Sequence, residues 1–241
     1  MEVSNMRTPW RWHHVMISVV VGIAALAFAV AAQRSPQNEL VQLEQYRERC
    51  ENLQAVLTAL NLGEGSQVAD IGAGDGFYSV RIARRIGSKG RIFAVEINQR
   101  EIEVLRGRTV REAPTLVPIL GAIDDPKLPA NTLDAALIVN SYHEMKEYQT
   151  MLQHVRSALK AGGLLVIVEP ISPTNRNQSR EFQVTKHEIG SNFVDTELTA
   201  AGFGIVDRRD PFEYRDKACG RVASYNTGVP DWWMIVARAK K

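Results

Sequence analysis

Asp70, Gly72, Gly74 and Gly76 carry the densest chemical signal in the chain: an acidic residue closes a short apolar run, and glycines follow at alternate positions. The stretch Val68-Ala69-Asp70-Ile71-Gly72-Ala73-Gly74-Asp75-Gly76-Phe77 reads as a buried strand, a tight turn and the start of a helix. Glycine tolerates positive φ and has no Cβ, so a ligand can lie directly against such a turn. The N–H groups of the following helix's first turn face the same space. About 20 residues past Gly76, a second apolar run ends in Glu96, the offset at which an acid takes ribose hydroxyls in folds of this kind. Its two oxygens can accept from both hydroxyls at once. A second reactive group, Asn140-Ser141-Tyr142-His143-Glu144, follows a later apolar run. An unperturbed histidine titrates at about 6.5, which makes His143 the best general-base candidate. Glu144 is read as orienting His143 through its second nitrogen, and His187 is a weaker second base. The plainer alternatives are a tight turn in any α/β domain, a solvated acid at a strand end, and surface or capping roles for both histidines.

These residues need elements to hold them. Residues 39–60 carry spaced leucines among charges, as one or two amphipathic helices do. Strands are expected at 67–71, 91–97, 116–120, 133–140 and 164–169, with helices at 77–86, 99–109, 148–159 and 194–201 between and after them. The run Leu133-Asp134-Ala135-Ala136-Leu137-Ile138-Val139-Asn140 is nearly continuous and apolar, as a strand covered on both faces must be. Strand and helix alternate at a spacing that predicts an α/β fold: a doubly wound, mostly parallel, Rossmann-like sheet with helices on both faces. Segments 205–209 and 232–237 complete it as a C-terminal antiparallel hairpin, with Trp232 and Trp233 packed in the strand.

Asp70-Ile71-Gly72-Ala73-Gly74-Asp75-Gly76 resembles the first motif of class I S-adenosylmethionine-dependent methyltransferases. It is less like the nicotinamide-binding fingerprint, whose third glycine comes one residue later. Leu133 to Asn140 is similar to the fourth-strand motif of the class, and Leu159-Lys160-Ala161-Gly162-Gly163-Leu164 is similar to its turn into strand five, with Ala161 where proline is usual. The resemblance spans residues 47–237. It implies S-adenosyl-L-methionine as methyl donor, bound by Asp70, Gly72, Ala73, Gly74, Gly76, Glu96, Ile97, Ile123, Asn140 and an aspartate. Asp124 or Asp125 accepts from the adenine amino group, Ile123 touches the ring, and Asn140 bonds the methionine part or the acceptor. Tyr142 then lines the methyl site. The Tyr142-His143-Glu144 element and the later Lys186-His187-Glu188 are similar to a bacterial group of small methyltransferases. The implied reaction is in-line transfer to a small-molecule or lipid-like acceptor. A non-catalytic binder of the same nucleoside and a nicotinamide-dependent oxidoreductase are the competing readings.

At 241 residues, 45% apolar and 23% charged, with formal net charge +2, the chain has a globular composition and no electrostatic footprint for nucleic acid. Residues 1–32 stand apart: Arg7 and Arg11 precede an uncharged apolar run at 15–32 that closes on small residues. That is the pattern of a cleaved signal peptide, and at about 18 residues the run also suffices for a single-pass anchor. Residues 33–38 form a linker and 39–241 the catalytic domain. The chain is therefore expected to be exported, or tethered to a membrane through 15–32, and a tether suits a membrane-soluble acceptor such as a quinone precursor. Cys50 and Cys219 either pair in an oxidising compartment or remain two thiols. No C-x-x-C or His/Cys spacing points to a metal, and none is expected.

Overall fold

The apolar runs become strands because helices cover both of their faces. In the computed structural model of the chain, the described residues are 36–216, 219 and 230–240, so the expected leader at 1–32 lies outside them. The strands are β1 (Gln67–Ile71), β2 (Arg91–Glu96), β3 (Leu116–Leu120), β4 (Leu133–Val139), β5 (Leu159–Ile171), β6 (Phe203–Phe212) and β7 (Asp231–Ala239). They make one seven-stranded sheet in the order β3-β2-β1-β4-β5-β7-β6. The pairs among β1 to β5 are parallel, and β7 runs antiparallel to both β5 and β6. This is the doubly wound sheet with a C-terminal antiparallel hairpin that the sequence predicts.

The helices are α1 (Pro36–Cys50), α2 (Leu53–Ala59), α3 (Phe77–Ile86), α4 (Gln99–Arg111), α5 (Tyr148–Ala158), α6 (Arg180–Val184) and α7 (Ser191–Ala200). Alternation along β4 shows how they divide between the faces. Ala135 and Leu137 pack with Phe77, Ile82, Ile102 and Leu105, whereas Ala136 and Ile138 pack with Leu152, Val155, Val194 and Leu198. A strand sends successive side chains to opposite faces, so a central strand with two covered faces has no polar alternate. Each fully buried leucine or isoleucine contributes about 1.5–3 kcal/mol by leaving water.

One boundary differs from the sequence reading. β5 begins at Leu159 because Leu159 pairs with Leu133 ahead of the irregularity, and Gly162 takes φ 76 within it. The chain divides into two compact units, 1–49 and 50–241. Within that unit Cys50 and Cys219 form a disulfide across 169 residues of sequence. No helix among the described residues is long and apolar enough to cross a membrane.

β1 and β4 are neighbours although β2 and β3 intervene in sequence. The winding reverses between them, and a crevice opens outside their carboxyl ends.

Candidate active site

The turn after β1 holds three left-handed glycines, Gly72, Gly74 and Gly76, with φ of 73, 53 and 81. A Cβ on Gly76 would lie 2.7 Å from Leu105 Cδ2, and one on Gly72 would collide with the Ser141 side chain. Packing therefore demands both glycines. Gly74 is different: nothing lies within 4 Å of its missing Cβ, so a bare stretch of main chain faces open space. Gly72 and Ala73 donate their N–H groups to the Val95 carbonyl at 3.0 and 3.1 Å, which draws the turn against the end of β2. There Glu96 accepts from the Gly74 N–H at 2.6 Å and from the Ile97 N–H at 3.1 Å.

A cavity of about 250 Å³ opens at this point, lined by Gly72, Glu96, Ile97, Ile123, Asn140 and Glu144 among others. Ile97 and Ile123 are each 61% exposed, two large apolar side chains left in water at its rim. Bare main chain, a two-oxygen acid and an apolar pair fit a nucleoside with free sugar hydroxyls and a flat ring. Asp70 does not reach the cavity. It is buried, and its carboxylate accepts from Ser79 Oγ at 2.7 Å, bracing α3 against β1. Ala73 is also buried. Asp125 is engaged in its own turn, accepting from the Lys127 N–H at 2.7 Å, while Asp124 is exposed.

The other wall begins at Asn140, which leaves β4 with φ 53 and lines the cavity. Tyr142–Glu144 then form one turn of 3-10 helix. His143 is only 3% exposed, and its Nδ1 lies 2.6 Å from Glu169 Oε2 at the end of β5. The other Glu169 oxygen accepts from the Ser141 and Tyr142 N–H groups at 2.7 and 2.6 Å. A carboxylate committed to accepting places the proton on Nδ1 and leaves Nε2 with its lone pair. Burial opposes the imidazolium, but hydrogen bonding and charge from Glu169, helped by Glu144 and Glu188, outweigh it and hold the histidine above its ordinary 6.5.

Two expected roles change. The sequence assigns Tyr142 to the wall of the reaction site, but its side chain is fully buried and its hydroxyl donates to Glu197 Oε2 of α7 at 2.7 Å. Burial, then the Glu197 charge, push the phenol far above its usual range, so it stays a neutral donor inside the protein. The sequence also makes Glu144 the group that orients His143. Instead Glu169 does so, and Glu144 Oε1 stands 3.8 Å from Nε2, beyond hydrogen-bond reach. Glu169 was the functional residue that motif reading missed. Its signal was its position: an acid closing a strand beside β4, as Glu96 closes the strand beside β1.

His187 also comes to this wall. Its ring meets that of His143 edge to face at 5.7 Å between centroids, and its Nδ1 is 3.7 Å from Glu144 Oε1. The segment that delivers it, 170–192, is pinned from within. Glu188 is buried and accepts from the Ser172 N–H at 3.0 Å, from Asn175 Nδ2 at 2.8 Å and from the Ser172 hydroxyl. Gln183, fully buried, donates to the Asn175 carbonyl and accepts from the Gly190 N–H. The Ile189 carbonyl takes the Trp233 indole N–H at 2.7 Å.

The sequence and the fold are each similar to those of known proteins. Residues 68–163 match the family model described as a methyltransferase domain. The chain is 22% identical over 137 residues to a demethylmenaquinone methyltransferase of Staphylococcus epidermidis, covering 57% of this chain and 55% of that one. It is 29% identical over 123 residues to a ubiquinone/menaquinone biosynthesis C-methyltransferase of Chromobacterium violaceum, covering 48% of this chain and 50% of the relative. The chain thus spans about half the length of the curated relatives it matches. Among solved structures, an S-adenosylmethionine-dependent methyltransferase of Aquifex aeolicus superposes with a TM-score of 0.64 at 18% identity, over 86% of this chain and all of that one. The [4+2]-cyclase SpnF superposes with a TM-score of 0.62 at 17% identity, over 78% of this chain and 79% of that one. That second likeness is a reminder that the fold alone does not fix the reaction.

Proposed function

We propose that this chain, by fold and motif a class I S-adenosylmethionine-dependent methyltransferase, transfers a methyl group to a small-molecule, lipid-like acceptor. The observation that carries the reading is a shared cavity: Gly72 and Glu96 line it from one side, and Asn140, Ser141 and Glu144 from the other. Donor-binding and acceptor-handling groups thus border a single space. The names of the quinone methyltransferase relatives support an acceptor of quinone-precursor type. The Tyr142-His143-Glu144 element supports membership of the small bacterial group that carries it.

Bound S-adenosylmethionine supplies a methyl group on a sulfonium that departs as a neutral thioether. The chain's own residues do the rest. Glu96 takes the ribose hydroxyls in place of the Gly74 N–H, Ile97 and Ile123 flank the ring, and Asp124 accepts from its amino group. Asn140 holds the methionine end. As the acceptor atom bonds to the methyl carbon and the carbon–sulfur bond breaks, the acceptor's proton passes to His143 Nε2. Positioning supplies about 7–11 kcal/mol in favourable cases, and a placed base adds about 10²–10⁴-fold. Calorimetry with adenosylhomocysteine and NAD tests the site, with binding of the first alone expected. Label transfer from methyl-labelled donor into a cell extract tests the base: an unchanged rate in His143→Ala would reject that role.

A second reading rests on the Cys50–Cys219 disulfide. Disulfides persist in oxidising compartments, which supports export or outward anchoring through residues 1–32, away from where the donor is made. The same scaffold then binds the nucleoside without turnover. N-terminal sequencing of the mature chain separates cleavage, with a start near Ala32 or Gln33, from a retained anchor.

A further inference from the structure

Motif spacing gave no reason to expect a metal, yet folding brings three donors from two distant segments to one place. His143 Nε2, Glu144 Oε1 and His187 Nδ1 all lie within 4.8 Å of one another. Glu144 Oε1 is the hub, 3.8 Å from His143 Nε2 and 3.7 Å from His187 Nδ1. We propose that His143, Glu144 and His187 form a binding site for one divalent transition-metal ion of the zinc type, at the rim of the cavity.

The donor set suits that class of ion. Two imidazoles and one carboxylate favour zinc, iron, cobalt or nickel over magnesium or calcium, which take oxygen ligands. With bonds of about 2.0–2.1 Å, tetrahedral donors sit about 3.3 Å apart, so each histidine nitrogen must close on Glu144 by about half an ångström and the two histidines on each other by up to about 1.5 Å. The two residues that must move are the free ones: the His187 and Glu144 side chains are 74% and 65% exposed. The third is fixed. His143 is buried, with Nδ1 held by Glu169 Oε2 at 2.6 Å, so Nε2, 3.8 Å from Glu144 Oε1, is the nitrogen left for an ion. A carboxylate behind the imidazole is the support that metal-ligating histidines characteristically have. Three protein ligands leave a fourth position, as in sites where an ion meets water or substrate. Because Glu144 also lines the cavity, an oxygen of the acceptor can take that position. Ion and proton compete for Nε2, so a loaded chain offers its acceptor a cation where the free chain offers a base.

The site does not depend on methyl transfer, and its test is a binding measurement. Zn²⁺ is titrated calorimetrically into the full chain, with His13 and His14 replaced by Ala to remove the N-terminal pair. One ion per chain is expected. His187→Ala and Glu144→Gln should each weaken binding tenfold or more without shifting the melting temperature, while His154→Ala leaves it unchanged. Co²⁺ should give the visible absorption of a four-coordinate site, lost in His187→Ala. No saturable binding below about 1 mM, or binding that survives both His187→Ala and Glu144→Gln, overturns the proposal. Adenosylhomocysteine titrated into the same samples reports separately on the nucleoside site, so the two readings fail independently.

Discussion

The two walls of the cavity are built by different means. The wall after β1 and β2 is main chain: left-handed glycines, N–H groups and one acid from the next β-unit, all within residues 70–97. The wall after β4 and β5 is side chain on side chain. His143 rests on Glu169, His187 is delivered by a segment pinned on Glu188, and Tyr142 anchors on Glu197. A main-chain wall needs only a short motif and fits the sugar and ring of a nucleoside whatever reaction follows. A wall of buried polar pairs is fixed by contacts far apart in sequence, and such a surface can be rebuilt for a particular acceptor. Damage to the second wall should therefore abolish the reaction while leaving nucleoside binding intact, whereas damage to the first should weaken nucleoside binding and, through it, the reaction.

The largest effect is expected from Glu169→Gln. An amide oxygen can still accept from the Ser141 and Tyr142 N–H groups, but the amide then turns an N–H toward Nδ1. That reverses the tautomer and places the proton on Nε2, the atom proposed as base. In the Ser-His-Asp triad the equivalent change of Asp to Asn costs about 10⁴ in rate. Label transfer should fall by about 10²–10⁴-fold, with adenosylhomocysteine affinity unchanged within a factor of two. A variant as active as the parent would remove Glu169 from the mechanism.

Next comes Glu188→Ala, which leaves the Ser172 N–H, the Ser172 hydroxyl and the Asn175 amide without their shared acceptor in a buried site. Stranding buried donors that served a carboxylate costs about 3 kcal/mol or more. Urea unfolding should show that loss, and transfer should fall because the segment that carries His187 no longer has a fixed place. If stability is unchanged, the segment is held by something other than this network.

The same contrast explains what was legible in the sequence. Strands, the doubly wound sheet, Gly72 to Gly76 and Glu96 follow from local spacing, because a tight turn needs glycine and a strand end sits at a fixed offset. His143 was legible by residue type, but its partner was not: Glu169 closes β5, and only the β4–β5 pairing brings it to His143. Tyr142 was misassigned because a single 3-10 turn sends adjacent residues to different surroundings, Tyr142 into the fold against Glu197 and His143 against Glu169. Glu188 and Gln183 look like loop residues, since composition cannot separate a solvated acid from a buried one with three donors. The disulfide was legible only as an option, because two cysteines state a capacity and the fold decides their distance.

On the main-chain wall, Glu96→Ala should weaken adenosylhomocysteine binding by about 10–100-fold. Hydrogen bonds to a charged acceptor are each worth about 1.5–3 kcal/mol; two hydroxyls lose theirs, but Glu96 gives up its bond from the Gly74 N–H to take them, so about one bond is lost net. The fold should be unaffected, since the Gly72 and Ala73 N–H groups keep the Val95 carbonyl. Calorimetry decides it; an undiminished affinity would mean that Glu96 only braces Gly74.

The smallest effect concerns how segment 170–192 is tied to the hairpin. Arg176 forks onto Asp210 at 2.7 and 3.0 Å, and Ser191 Oγ donates to the same carboxylate at 2.5 Å, joining both ends of the segment to β6. Burial acts to raise the Asp210 pKa, but the hydrogen bonds from Arg176 and Ser191 and the Arg176 charge prevail and lower it. An acid whose folded pKa lies below its unfolded value of about 3.9 adds stability that is complete above that value. The contribution is lost as pH falls through the folded pKa. For a partly exposed pair about 1 kcal/mol is at stake. Hydrogen exchange compared at pH 5 and pH 3 should show residues 172–192 losing protection before β1 and β2 do. In Asp210→Asn the segment should already be less protected at pH 5, and the extra loss on acidification should shrink. If β1 and β2 lose protection together with the segment, the two walls unfold as one unit, and their independence, the premise of the contrast, does not extend to stability.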